Sequence, residues 1–167
     1  MSSISHFLLW FCNWADFSFF GAGVRNSAWL FPCIEIFHLL ALGILGGTVL
    51  LVNARLLGLR FADEPVSELA KDVQPWMYLS LGVVLVSGFF LFSSESLKMY
   101  DNPAFRIKMV SLVLAILFSF TLHHSIKGRD ERRLAGAWPK WAAVISLLLW
   151  TSVGLAGRAI GYVPQLH

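Results

Sequence analysis

The sequence predicts an all-α integral membrane protein: a four-helix up-down bundle with an N-terminal interfacial or re-entrant segment. Three observations predict it. Hydrophobic residues form 57% of the 167-residue chain and charged residues 14%, against about 25% charged in a soluble domain, and mean hydropathy is +0.68. Four apolar segments follow one another at residues 32–52, 75–92, 103–124 and 139–162, each near the ~17–25 residues a spanning helix needs. Each opens on a proline, at Pro32, Pro75, Pro103 and Pro139. Proline suits a first helical turn because the amide it lacks would be unpaired there anyway.

Taken in order, residues 1–30 form an arm and residues 31–163 the bundle. The arm lacks the basic start of a signal peptide, and Asn13 and Asp16 interrupt its apolar run. Trp10 and Trp14 place it in the headgroup layer. The first span holds Glu35 and His38, and Cys33 there is expected to be a buried, inert thiol. The second span is the shortest. The third begins with Lys108 in its second turn and closes on His123 and His124; the fourth carries Arg158 near its end, before Pro164. The connections at the far ends of the spans hold Arg55, Arg60, Lys71, Lys127, Arg129, Arg132, Arg133 and Lys140, eight of the thirteen basic residues. The bias of Lys and Arg toward cytoplasmic loops therefore predicts that both termini face outward. It also accounts for the net charge of +3, so the expected partner is the lipid bilayer and not nucleic acid.

An ionisable side chain inside a span is costly and marks a functional candidate. Glu35 is the one acid of ten that falls inside a predicted span. Glu35 and His38 lie three residues apart, hence on one side of a helix. The up-down topology makes the first and third helices parallel, which brings His38 and Lys108 to a similar depth. Arg158 falls near the same end. Glu35, His38, Lys108 and Arg158, from three helices, are thus expected to converge in the outer half of the bundle.

The ligand types select the cofactor. A di-iron bundle needs two Glu-x-x-His motifs and further carboxylates, and only one such motif is present. Zinc wants three or four His, Cys or carboxylate ligands. Haem needs only one or two axial ligands and a flat apolar slot. His38 is the expected iron ligand, with Gly43, Gly46 and Gly47 on its own helix supplying the slot. The same glycines, as Gly43-x-x-x-Gly47, also suit plain helix–helix packing. Lys108 is expected as second ligand or as neighbour to the propionates, Arg158 as a propionate partner, and Glu35 as the carboxylate orienting the imidazole or carrying a proton. Near His123 a second haem b is conceivable.

At this stage "IEIFHLLALGILGGTVLLVNARLLGL" and "FRIKMVSLVLAILFSFTLHHSIKGRDERR" resemble the small haem-binding bacterial membrane protoporphyrinogen IX oxidases, over roughly residues 32–160. The resemblance implies a haem-ligand role for His38 and a functional requirement for Lys108, with Arg55 in the Arg-Leu match and His123 near a later histidine. It also implies a bacterial inner membrane. Glu35 stands where that family has a lysine, and "LGLRF" after Leu56 lacks its second histidine. A group of uncharacterised bacterial four-span proteins with a first-helix Ile-Glu-x-x-His is more similar still. The function expected is that of a b-type haem protein passing electrons between a quinone or partner protein and an outer-face acceptor. Two alternatives stand beside it: a porphyrinogen-oxidase-like enzyme, and a non-catalytic subunit docked in a homo- or hetero-oligomer.

Overall fold

The structure is a computed structural model and describes residues 10–14, 23–24, 26–59, 66–96, 99, 102–126 and 136–162. His6, Arg25, Arg60, Lys98, Lys127, Arg129, Arg132 and Arg133 lie outside the described residues, and with them five of the eight basic residues behind the orientation argument. Among the described residues, four helices are long and apolar enough to cross a membrane: α1 (Leu30–Leu56), α2 (Val66–Ser94), α3 (Pro103–Ile126) and α4 (Ala137–Ala159). α1 and α3 start, and α2 and α4 end, at one end of the bundle, called the upper end below.

Local chemistry sets the helix ends. The Leu30 N–H donates to Ser27 Oγ at 3.2 Å, satisfying one orphan donor of the first turn of α1. α1 runs a turn beyond the predicted Val52 because Asn53 is held inside: its Nδ2 donates to the Val49 carbonyl at 2.8 Å and to Ser146 Oγ of α4 at 3.1 Å. Gly58, at φ 75°, then turns the chain out, its N–H bonded to the Arg55 carbonyl at 3.0 Å. Only glycine takes that conformation without strain.

α2 differs from the sequence expectation, starting nine residues before Pro75. Proline deletes a single helical donor, and the carbonyl left over belongs to Lys71 in a turn rich in Glu68, Asp72 and Gln74, where water serves it. The same two turns bury Val66, Ala70 and Val73, which offsets the loss. α3 opens as predicted on Pro103, capped by Asn102, whose Oδ1 accepts from the Ala104 N–H at 2.9 Å. Asn102 Nδ2 donates to the Ile160 carbonyl at 3.1 Å, clamping the start of α3 to the end of α4.

α1 packs along α2 and α3 along α4; α1 also touches α4, while α2 and α3 meet only lightly. α1 and α3 are therefore diagonal and parallel. The inward face of α1 repeats every seven residues, with Leu45, Val52 and their neighbours Ala41, Thr48 and Leu56 buried. α2 answers with Val66, Val73, Ser80, Ser87 and Ser94 at the same spacing, alternating with Ala70, Met77 and Val84. This is coiled-coil spacing, and the serines let two membrane helices approach closely.

The lower third holds one apolar cluster, from Val52, Leu56, Val66 and Val73 to Leu122, Ile126 and Ala143. The middle holds a second, built on Ala41, Leu45, Met77, Leu81 and Val84, with Trp150 against it. Outward-facing leucines, valines and phenylalanines on all four helices stay exposed and make the lipid contact of a multi-pass membrane protein.

Residues 10–14 are helical and lie against the upper end of α2. Phe11 stacks on Phe92 at 6.3 Å and Phe92 on Phe105 at 5.4 Å, and Ser96 Oγ donates to the Cys12 carbonyl at 2.8 Å. Trp10 and Trp14 are exposed. Neither cysteine is in a disulfide among the described residues, with Cys12 buried and Cys33 exposed. This reverses the expectation for Cys33, which sits five residues before His38 and hence on the far side of α1, about 140° from the seam.

Gly43, Gly46 and Gly47 are not at a helix–helix contact: a Cβ added at each meets nothing within 4 Å. Gly43→Ala is therefore expected to raise stability by about 0.5–1 kcal/mol through helix propensity alone. At Gly88 an added Cβ comes within 3.3 Å of His38 Cε1, so Gly88→Ala is expected to push the ring aside. Denaturant unfolding in detergent and the histidine ring signals in NMR read the two outcomes.

Candidate functional site

His38 is the upper member of the α1 stripe that continues through Leu45 and Val52, seven residues apart, and this register aims it into the seam. Lys108 stands in the same relation to Ala115 and Leu122 on α3, both buried. The two half-buried residues thus face inward from diagonal helices in one layer, just above the middle apolar cluster.

The imidazole lies against α2. His38 Nδ1 is 2.8 Å from Ser87 Oγ, and the ring rests on Gly88, which has no side chain to exclude it. Ser87 donates its own hydroxyl proton to the Val83 carbonyl. The ring is also hydrogen-bonded to the Val84 backbone, so a hydroxyl and a carbonyl of α2 together hold it. Metal-ligating histidines are commonly oriented by such hydrogen bonds.

Lys108 reaches the same layer by laying its stem along α4. A Cβ on Gly157 would lie 3.7 Å from Lys108 Cε and 3.8 Å from Nζ, so glycine there leaves the lysine its path. The ammonium is within electrostatic reach of the imidazole and bonds to no acceptor among the described residues. The Asn102 clamp, six residues earlier, fixes α3 against α4 at this level.

The other predicted residues are placed elsewhere. Glu35 is exposed and makes no hydrogen bond to His38, whose Nδ1 pairs with Ser87 instead. Arg158 is exposed too, its Nη2 donating to Tyr162 Oη at 3.3 Å and its guanidinium 5.6 Å above that ring. Gly43 and Gly47 lie about 140° and 180° around α1 from His38, so the slot expected from them does not adjoin the imidazole; the glycines that do touch the site are Gly88 and Gly157. His123 is buried at the lower end, about 22 Å along α3 from Lys108. Its Nε2 donates to the Ala70 carbonyl at 3.0 Å, and Tyr78 lies beside it. His123 ties α3 to α2. His123→Ala is expected to cost about 1–3 kcal/mol in denaturant unfolding and to leave the upper layer intact.

Sequence reasoning missed Ser87 and Gly88. The signal was the run Ser80, Ser87, Ser94, seven apart, in the register opposite His38. Among the described residues no group of three or more His, Cys, Asp or Glu gathers, so the site has no multi-ligand metal centre there. One imidazole and one amine facing a common layer are a donor set of the size a haem asks of a protein, which is one or two ligands.

Beside the site, a groove of about 460 Å³ opens toward lipid between α1 and α2, lined by Phe37, Tyr78, Gly82, Val86, Ser87 and Phe90 among others. Ser87, whose oxygen holds His38, is also among the residues at the groove.

No curated protein and no solved structure matches the chain. A family match covers residues 11–163, and so includes every helix and both residues of the upper layer. On that match, the chain belongs to the family of unknown function DUF6644.

Proposed function

We propose that this protein binds one haem b in the upper half of its bundle and passes electrons between a quinone or partner protein and an acceptor on the outer face. In this reading it resides in a bacterial inner membrane, with the basic loops cytoplasmic and both termini periplasmic. The observation that carries it is the His38–Ser87 bond, which fixes an inward-facing membrane imidazole within electrostatic reach of Lys108.

Bound haem would supply reversible one-electron transfer at iron. The chain's own residues supply the rest. His38 would hold the iron through its ring, with Ser87 orienting the imidazole. Lys108 offers an amine from the diagonal helix, as second ligand or as the cation opposite a propionate. Leu45, Leu81 and Trp150 close the layer below and exclude water from it. Glu35, exposed near the upper boundary, is placed to exchange a proton with the interface.

The test is a dithionite-reduced minus air-oxidised spectrum of the purified protein in detergent. A redox-dependent Soret and α band supports the reading. A folded preparation with no band in either state refutes it.

A further inference from the structure

We propose that the layer between His38 and Lys108 is a site for a small monovalent anion that enters from the upper end, with the Lys108 ammonium as its counter-charge. The site rests on the same convergence of two residues as the haem reading, but its binding does not require haem.

The two halves of the bundle repeat. Leu45, Val52 and Leu56, buried on α1, recur 70 residues on as the buried Ala115, Leu122 and Ile126 of α3. Val73, Met77 and Val84 of α2 recur 69 residues on as Ala142, Ser146 and Val153 of α4. The residue types differ, so the repeat lies in burial and not in composition. With α1 parallel to α3, the hairpins α1–α2 and α3–α4 are related by an approximate two-fold along the bundle. Asn53 and its equivalent His123 obey it, each crossing to the other hairpin: Asn53 bonds to Ser146 on α4 and His123 to the Ala70 carbonyl on α2.

The same operation takes His38 to Lys108 and Gly88 to Gly157. In the layers below, the equivalent positions hold Leu45 with Ala115 and Val52 with Leu122, all buried. In the upper layer they hold two basic side chains, each lying against a glycine of its own hairpin. A register that is apolar through two layers thus turns basic in the third, on both helices at once.

Charge then defines the ligand. Neither base is paired with a carboxylate among the described residues, and the charge within reach of the imidazole is Lys108 itself. A charge taken out of water needs a partner, and an ionisable group within a span marks a path or site for a polar ligand. One fixed positive charge is balanced by one negative charge. Gly157, beside the lysine stem, lies two residues before the end of α4 at Ala159, about 3 Å. An anion from the upper end therefore reaches the ammonium without crossing the apolar clusters below.

The experiment follows the histidine ring signals of the purified full-length chain by NMR, in detergent and a buffer whose only other anion is bulky. It is titrated with sodium acetate and, separately, with sodium chloride. The His38 signal is expected to move and saturate with a dissociation constant on the order of 1–10 mM, while His123, about 22 Å away along α3, stays in place. Saturation by acetate alone assigns a carboxylate site, and by chloride a halide site. Lys108→Met is expected to weaken binding at least ~10-fold, and Lys108→Arg, which keeps the charge, by no more than about threefold. An unmoved His123 signal shows that each variant is folded. No saturable shift of His38 in the wild type, or an equal affinity in Lys108→Met, would overturn the proposal. So would a shift that appears only in Asp101→Asn, a position outside the described residues, because the chain's own acid would then be the partner. Absorption spectra of the same samples separate the two readings. Colourless protein that binds the anion keeps the site and removes the haem, and coloured protein that does not bind does the reverse.

Discussion

His38→Ala is expected to give a chain that inserts and folds but retains less than about a tenth of the wild-type haem, a loss of at least ~1.4 kcal/mol in binding. The fold should tolerate the change. Removing the ring breaks one hydrogen bond to Ser87, worth about 1 kcal/mol, and Ser87 remains satisfied by its bond to the Val83 carbonyl. The apolar clusters lie below this layer and do not involve His38. Haem content by absorbance, set against the circular dichroism and the gel-filtration profile of the same preparation, separates loss of ligand from loss of structure. His123→Ala is the matched control: a buried histidine of the same bundle whose nitrogen is committed to a backbone carbonyl, so that its loss lowers stability and spares the spectrum.

Lys108→Met is expected to move stability and site in opposite directions. Methionine keeps the length and volume of the stem along Gly157 and deletes the charge. An amine half-buried at membrane depth with no acceptor among the described residues is held at a cost, and relief of it should stabilise the haem-free protein by about 1–3 kcal/mol, the order found for ionised groups in a span. If the amine serves the haem, the same variant loses haem at least ~10-fold faster on dilution, or changes its iron spin state. A lysine that only snorkels would leave both measurements unchanged, and that outcome would remove Lys108 from the site.

Much of this architecture could be read from the chain alone. Three of the four opening prolines lie within the first turn of their helices, and charge depletion with four apolar runs placed the chain in lipid. Pro75 misled because a proline at a polar boundary does not end a helix when water can take the spare carbonyl. The convergence of His38 and Lys108 followed from topology, since two parallel helices put their inward residues at matching depth. The rest of the proposed cluster did not follow. Glu35 shares a side with His38 by spacing, but the imidazole found its partner across the seam on Ser87, and spacing within one helix cannot report on the facing helix. Gly43 and Gly47 were read as a slot because they are small; their angular position, opposite His38, shows that they face away. Arg158 found Tyr162 one turn on, a local contact that outcompetes a distant one. The seven-residue stripes from His38 to Val52 and from Lys108 to Leu122 carried the information that mattered.

The most direct test of the central claim, that the imidazole of His38 faces a resident porphyrin, is a pyridine haemochrome assay on the purified wild-type protein. The account predicts a b-type spectrum at one haem per chain, abolished by His38→Ala. A folded, monodisperse chain that yields no haemochrome, or one whose haem content is the same in His38→Ala, would contradict it.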